Sequence, residues 1–404
     1  MAVNTTLLGV FLMCCVQVGF GGYSVVLAVY GKGHIDPVVF SLFRDASAFP
    51  ILLTAAALLE GVRLPKLSDL PLFLSMGFVG IFGNQVLFIL GLYNAGADIA
   101  SMWQPSTPVL TVLIALATCQ ERMPLLCGRR RRQLTMGDGR TMLSGWLKVG
   151  GLILVCAGGI VMVKTAPGQS ASKAHAMFLG EMMLIANCSC VAVYVLIQKR
   201  WIFHNDGPGS WKDIPINVTA WSYMFGSFFM ALTSGIVATQ NPKVFDVFPE
   251  ALPPCHPIAA GVNISNTTYV TASWCDAHSG SAYNATVQGL CKCDTVDYAS
   301  FLIPLAYAAF VSSSMAYGFI TVANKYLPSS VVTAFWPMQV PAAVTLNWFF
   351  NGKTVTLGQG LGGMLVIFAL FLVCSADSME RKKILANRSS TAALINEKTP
   401  LSKG

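Results

Sequence analysis

The chain has 404 residues, 54% of them hydrophobic and only 11% charged, with a formal net charge of +8. Soluble proteins carry about 25% charged residues, so this composition, with a mean hydropathy of +0.61, excludes water as the main solvent. The basic excess does not by itself point to nucleic acid, because its placement along the chain follows the logic of a membrane protein.

Apolar runs of about 20 residues recur along the chain, the length an α-helix needs to cross ~30 Å of hydrocarbon. They predict ten spans, near 6–29, 37–59, 70–92, 97–118, 146–164, 176–198, 217–239, 298–321, 329–350 and 358–376. Lipid offers the backbone no hydrogen-bond partners, so each run must be helical. The short alternating segments of a membrane β-barrel are missing. The expected fold class is an all-α integral membrane protein. No basic n-region or small-residue cleavage site precedes the first run, which therefore reads as a retained helix.

Three polar segments interrupt this pattern. A basic insertion at about 119–145 holds Arg129 to Arg132, which read as a topology determinant or a contact with anionic lipid rather than a nucleic-acid site. A polar excursion at about 240–297 separates spans seven and eight, and the basic tail 377–404 reads as disordered. With a cytosolic N-terminus and ten spans, nineteen lysines and arginines fall on the cytosolic side and six on the other. Both termini are then cytosolic, in the sense of the positive-inside rule.

The 240–297 excursion is thereby placed outside, and its composition agrees. It carries glycosylation sequons at Asn263, Asn266 and Asn284, usable only on a lumenal or extracellular surface. It also holds Cys255, Cys275, Cys291 and Cys293, which in an oxidising space suggest two disulfides with three connectivities. A zinc site using these cysteines with His256 or His278 is the less favoured alternative. Sequons at Asn4, Asn187, Asn217 and Asn387 lie within a span or on the cytosolic side and are expected to stay unused.

The two halves of the chain match weakly. Trp103-Gln104-Pro105 in span four corresponds to Phe335-Trp336-Pro337 in span nine, and each is followed by a second proline, Pro108 or Pro341. Gly150-Gly151 at the start of span five corresponds to Gly362-Gly363 in span ten. The unit is five spans. Because five is odd, a tandem copy is inverted in the membrane, as in many transporters. The expected division is a first repeat over 1–170 and a second over 171–376. Chance likeness between apolar helices is the alternative.

The ordered set of short stretches resembles the drug/metabolite transporter superfamily with paired EamA-type units. It is most similar to the plant branch of walls-are-thin-related and amino-acid-exporting proteins. The stretches are Leu42-Phe43-Arg44-Asp45-Ala46, Gly83-Asn84-Gln85, Gly91-Leu92-Tyr93, Ala95 to Pro108, Gly180-Glu181 and Ala334 to Pro341. The likeness covers about 5–376 apart from the two insertions. The chain departs from it at Lys353, where the family often has an acid, and in the cysteine-bearing outer excursion. The resemblance implies a carrier with its solute held between the halves.

Polar residues inside spans are costly unless they face protein or a wet cavity. Tyr307, Ser314, Tyr317, Thr321 and Asn324 fall on one face of span eight, and Ser101, Gln104, Thr107 or Pro108, and Thr111 on one face of span four. Candidate solute-binding residues are Arg44, Asn84, Gln85, Trp103, Gln104, Tyr317, Trp336 and Gln339. The competing reading is interhelical hydrogen bonding. Arg44 is the most informative of them. Adjacent Asp45 does not share its helical face and reads as no obvious partner, leaving carbonyls, Asp98 or Glu181, or an anionic solute.

No phosphate-cradling loop, HExxH or cluster of metal ligands occurs, so no cofactor, metal or enzymatic activity is expected. The function expected is alternating-access transport of a small organic metabolite, an amino acid or an aromatic or organic acid, without an ATPase of its own. The alternatives are a nucleotide-sugar or sugar-phosphate exchanger, or a receptor or scaffold acting through the glycosylated outer segment. The partners are the solute and the lipid bilayer, with a homodimer as an option. The location is the plasma membrane or an endomembrane.

Overall fold

The computed structural model describes residues 5–30, 36–95, 103–118, 174–204, 210–240, 255–257, 269–271, 290–293 and 298–352. It also describes 356–358, 360–376, 379 and twelve residues of 146–161. The basic insertion, nearly all of the tail, Cys275, Asp98 and the sequons at Asn263, Asn266 and Asn284 lie outside the described residues.

The described helices fall on the predicted apolar runs, whose order supplies the span numbers used below. Helix α1 covers Thr5–Tyr30 and α2 Pro37–Leu59. Asp36 starts α2 by accepting the backbone N–H groups of Val38 and Val39 at 2.8 and 3.3 Å, with Pro37 at the first position. The third span runs as α3, Leu70–Met76, a π-helical stretch Gly77–Gly83, and α4, Asn84–Ala95. A 3₁₀ turn at Gln104–Ser106 leads into α5, Thr107–Ala117. Then come α6, Ala174–Ile197, extended by a π stretch to Phe203, and α7, Pro215–Gln240.

The eighth span joins α8, Tyr298–Tyr307, through a π stretch Ala308–Met315 to α9, Ala316–Tyr326. The ninth joins α10, Ser329–Ala334, through a 3₁₀ turn Trp336–Met338 to α11, Gln339–Asn351, closed by left-handed Gly352. Helix α12, Gly360–Ala376, follows.

Six of the described helices are long and apolar enough to cross a bilayer, and Val149–Gly158 and α12 are shorter apolar helices. Large apolar side chains such as Phe11, Phe228, Ile236, Phe350 and Phe371 face outward from the bundle. A surface of this kind belongs in lipid. The fourth and ninth predicted spans each contain a 3₁₀ turn, because Pro105 and Pro337 supply no backbone N–H to an α ladder.

The irregular segments recur at a fixed spacing. Gly83 at the end of the first π stretch and Met315 at the end of its counterpart are 232 residues apart, as are Gln104 and Trp336 at the starts of the two 3₁₀ turns.

The 240–297 excursion departs from an all-α fold. Strands β1 (Cys255–Pro257), β2 (Tyr269–Thr271) and β3 (Leu290–Cys293) form an antiparallel sheet with β3 in the middle. A segment in water is not bound by the backbone constraint of the bilayer, so the helical expectation holds for the spans and not for this excursion.

In the bundle α2 packs along α7, α4 along α6, and α1 against α9 and α11. The two 3₁₀ turns touch one another. Close approach rests on glycines. A Cβ on Gly77 would stand 2.7 Å from Phe225 Cβ, one on Gly226 would stand 2.6 Å from Ile81 Cβ, and one on Gly80 would enter the Tyr194 ring.

Candidate solute-binding site

Helix α2 buries Ser41, Asp45, Ala48, Leu52 and Ala56 at helical spacing against its neighbours. Asp45 is therefore carried to the centre of the bundle, fully buried, while the Arg44 side chain keeps 16% of its surface exposed. The two form an ion pair. Arg44 Nε donates to Asp45 Oδ1 at 3.2 Å, and Gln85 Nε2 donates to the same oxygen at 3.0 Å. This corrects the expectation that adjacent Asp45 is no partner for Arg44. Face geometry separates two Cβ atoms, but three methylenes let the guanidinium swing back to an acid one position along the chain. Asp98 lies outside the described residues, and the recorded ion pair of Arg44 is with Asp45 rather than Glu181.

Aromatic rings surround this pair. Tyr23 of α1 faces the Arg44 guanidinium. Tyr223 of α7 meets Tyr317 of α9 edge-to-face at 5.4 Å, and Phe20 lies 6.4 Å from Tyr317 and 6.5 Å from Trp336. A polar chain leads away toward α6. Asn84 Nδ2 donates to the Tyr317 hydroxyl at 2.9 Å, Asn187 Nδ2 donates to Asn84 Oδ1 at 2.6 Å, and Gln104 Nε2 donates to Asn187 Oδ1 at 3.4 Å.

Several buried polar atoms in this region have no hydrogen-bond partner among the described residues. They are Asp45 Oδ2, Gln85 Oε1 and the Tyr223 hydroxyl; elsewhere on α1, three residues before Phe20, both amide atoms of buried Gln17 are likewise without a partner. Each such atom costs about 1–3 kcal/mol when left unsatisfied, so unmet hydrogen-bonding capacity is concentrated in this part of the bundle.

The structure brings Arg44, Asn84, Gln85, Gln104, Tyr317 and Trp336 into one connected region spanning α2 to α11. Trp103 sits at its margin, packed with Phe88 and Leu92 against Leu184. Gln339 is half-buried, and its backbone N–H closes the 3₁₀ turn on the Pro337 and Trp336 carbonyls, while its side chain joins none of the hydrogen bonds described above. Sequence reasoning missed Tyr223, Asn187 and Tyr23 as members, and did not single out buried Gln17. A polar residue inside a span was the available signal for Gln17, Asn187 and Tyr223, but only helix packing gathers the last two.

The stripe on span eight divides. Tyr317 lines the candidate site. Thr321 is tied to Gln198 at 3.1 Å and Thr219 at 2.8 Å, and Asn324 donates to the Val195 carbonyl at 2.8 Å. Lys199 Nζ donates to the carbonyls of Asn324 and Leu327 at 2.7 and 2.9 Å. Thr321 and Asn324 thus belong to a protein-satisfied seam. At the same end of the bundle, Glu60 accepts the backbone N–H groups of Ile216 and Asn217 at 2.9 and 3.0 Å. Arg63 lies 4.5 Å over the Trp211 ring, and Trp221 Nε1 donates to the Arg63 carbonyl at 2.8 Å.

Residues 7–126 match the EamA-like transporter family. A WAT1-related protein of Arabidopsis thaliana is 26% identical over 386 residues, covering 92% of this chain and 86% of the relative. The protein WALLS ARE THIN 1 of the same organism is 24% identical over 295 residues, covering 68% and 71%. The uncharacterized transporter YyaM of Bacillus subtilis (strain 168) is 21% identical over 216 residues, covering 53% and 61%. A solved crystal structure superposes with a TM-score of 0.57 at 14% identity, over 94% of this chain and 99% of its own, and so shares the overall fold. Over residues 7–126 the chain is similar to EamA-like transporters, and over most of its length it is similar to the plant WAT1-related proteins; with its apolar helices this indicates a multi-pass membrane protein.

Proposed function

We propose that the protein is an alternating-access carrier for a small organic solute of the amino-acid or aromatic or organic acid class, with no ATPase of its own. The observation that carries this reading is the set of buried polar atoms without protein partners beside the Arg44–Asp45 pair. A bundle built for stability alone does better with apolar side chains at such positions. Arg44 engages the anionic group of the solute, Asn84 and Gln85 contribute amide groups, and Tyr317 and Trp336 supply apolar faces. Trp103, Gln104 and Gln339 flank this centre.

Ten spans in two inverted five-helix repeats, over 1–170 and 171–376, are part of the same reading. They are supported by the recurrence of a π stretch and a 3₁₀ turn at a common spacing of 232 residues. Inverted copies provide two similar states, one open to each side, around a solute at mid-membrane. The lysine and arginine bias supports cytosolic termini in a plasma or endomembrane, with the 240–297 excursion outside, glycosylated and disulfide-bonded.

A nucleotide-sugar or sugar-phosphate exchanger calls for several cations around a multiply charged guest. Among the described residues of this cluster the cation is Arg44. The test is flux into reconstituted vesicles for a panel of amino acids and aromatic acids, with and without a pH gradient. Saturable counterflow of at least one member is expected, and absence of flux for the whole panel overturns the reading.

A further inference from the structure

The excursion between α7 and α8 is built on three strands with β3 in the middle. In the β1–β3 ladder Cys255 stands directly opposite Cys293. The other cysteine of β3, Cys291, stands opposite Pro257 on one side and Val270 on the other, so neither neighbouring strand presents it with a cysteine. Directly opposed residues of an antiparallel pair have Cα atoms about 4.5 or 5.5 Å apart. Both values fall within the roughly 4.4–6.8 Å that a disulfide bridges.

We propose that Cys255 and Cys293 form a disulfide that closes the base of the outer excursion. Of the three connectivities open to four cysteines, this register selects one, leaving Cys275 and Cys291 as the second pair by count. All three sequons, at Asn263, Asn266 and Asn284, fall inside the loop so closed. The bond lies 15 residues past Gln240 and five before Tyr298, so it turns a long excursion into a short tether between α7 and α8.

Forming the bond removes two protons and two electrons from the two thiols. The acceptor is a protein disulfide of the secretory lumen, which is reduced to a dithiol by thiol–disulfide exchange. The proposal rests on the reading that this excursion faces an oxidising compartment.

The test uses full-length protein from eukaryotic membranes, alkylated and digested without reduction by trypsin and chymotrypsin. Lys292 lies between Cys291 and Cys293, Tyr269 and Trp274 between Cys255 and Cys275, and Tyr283 between Cys275 and Cys291. The four cysteines therefore end on separate peptides. The expected result is the Cys255 peptide joined to the Cys293 peptide. Enzymatic deglycosylation in heavy-oxygen water marks used sequons in the same digest and reports the compartment independently.

Used sequons with Cys255 alkylated, or joined to Cys275 or Cys291, overturn the pairing and leave the orientation standing. Unused sequons with four alkylated thiols overturn both. In Cys255→Ser, a newly labelled thiol is expected at Cys293 and nowhere else in the excursion, and labelling at Cys275 or Cys291 instead overturns the pairing. Should that variant be retained in the cell, the unmodified protein's digest still decides.

Discussion

At the scale of single residues, the Arg44–Asp45–Gln85 group combines a structural and a binding role, and the two can be separated. Removing one member of a buried ion pair costs about 3–5 kcal/mol, because the other is left charged and alone. Arg44→Ala is therefore expected to lower both folded yield and transport. Pairing it with Asp45→Asn removes the stranded charge and is expected to restore most of the thermal stability in detergent. If Arg44 holds the solute, the double variant stays at least about tenfold impaired in counterflow, equivalent to about 1.4 kcal/mol. Recovery of flux together with stability would show that Arg44 serves only the fold. Tyr317→Phe deletes the hydroxyl that accepts from Asn84 Nδ2. It is expected to destabilise by about 1–3 kcal/mol through an unpaired amide donor, read as a lower melting temperature.

At the scale of elements, the ends of the helices are joined by charged caps rather than by apolar packing alone. Lys199 reaches from the π stretch after α6 to the carbonyls that end α9. Hydrogen bonds from a charged group contribute about 1.5–3 kcal/mol, so Lys199→Met is expected to lower the melting temperature and Lys199→Arg to keep part of it. Thermal unfolding of the three proteins side by side checks this. Glycine packing is equally local. Gly80→Ala pushes a methyl into the Tyr194 ring, which adjoins Tyr317 at 6.1 Å between centroids. Overpacking of this kind costs about 1–3 kcal/mol. A larger loss of counterflow than of folded yield is expected, because the displaced ring moves toward the candidate site.

At the scale of the whole molecule, the carrier reading and the receptor or scaffold reading differ in what the outer excursion must do. Replacing 241–297 by a short flexible linker is expected to leave solute counterflow within about twofold of the intact protein, since every residue of the polar cluster named above comes from the helices and turns of the bundle. A loss of flux in a variant that still reaches the membrane would place function in the excursion instead.

The positions of the six long apolar helices were legible in the sequence, because hydrocarbon thickness demands a nearly constant helix length and forces every backbone group inside it to bond within the helix. Charge asymmetry and the matched aromatic–proline steps were legible for the same reason: each is a local feature of the chain. Which polar side chains end up paired was not legible. Helical spacing put Tyr317, Thr321 and Asn324 on one face, but Gln198, Thr219 and Val195 arrive from other helices to satisfy the last two. Face geometry likewise separated Arg44 from Asp45, while burial beside Gln85 drew them together. A sequence of this kind determines where its helices cross the bilayer, since that depends on one chain segment and the solvent around it. Only the tertiary structure decides which polar groups remain unsatisfied at its centre, since that depends on several helices meeting at one point.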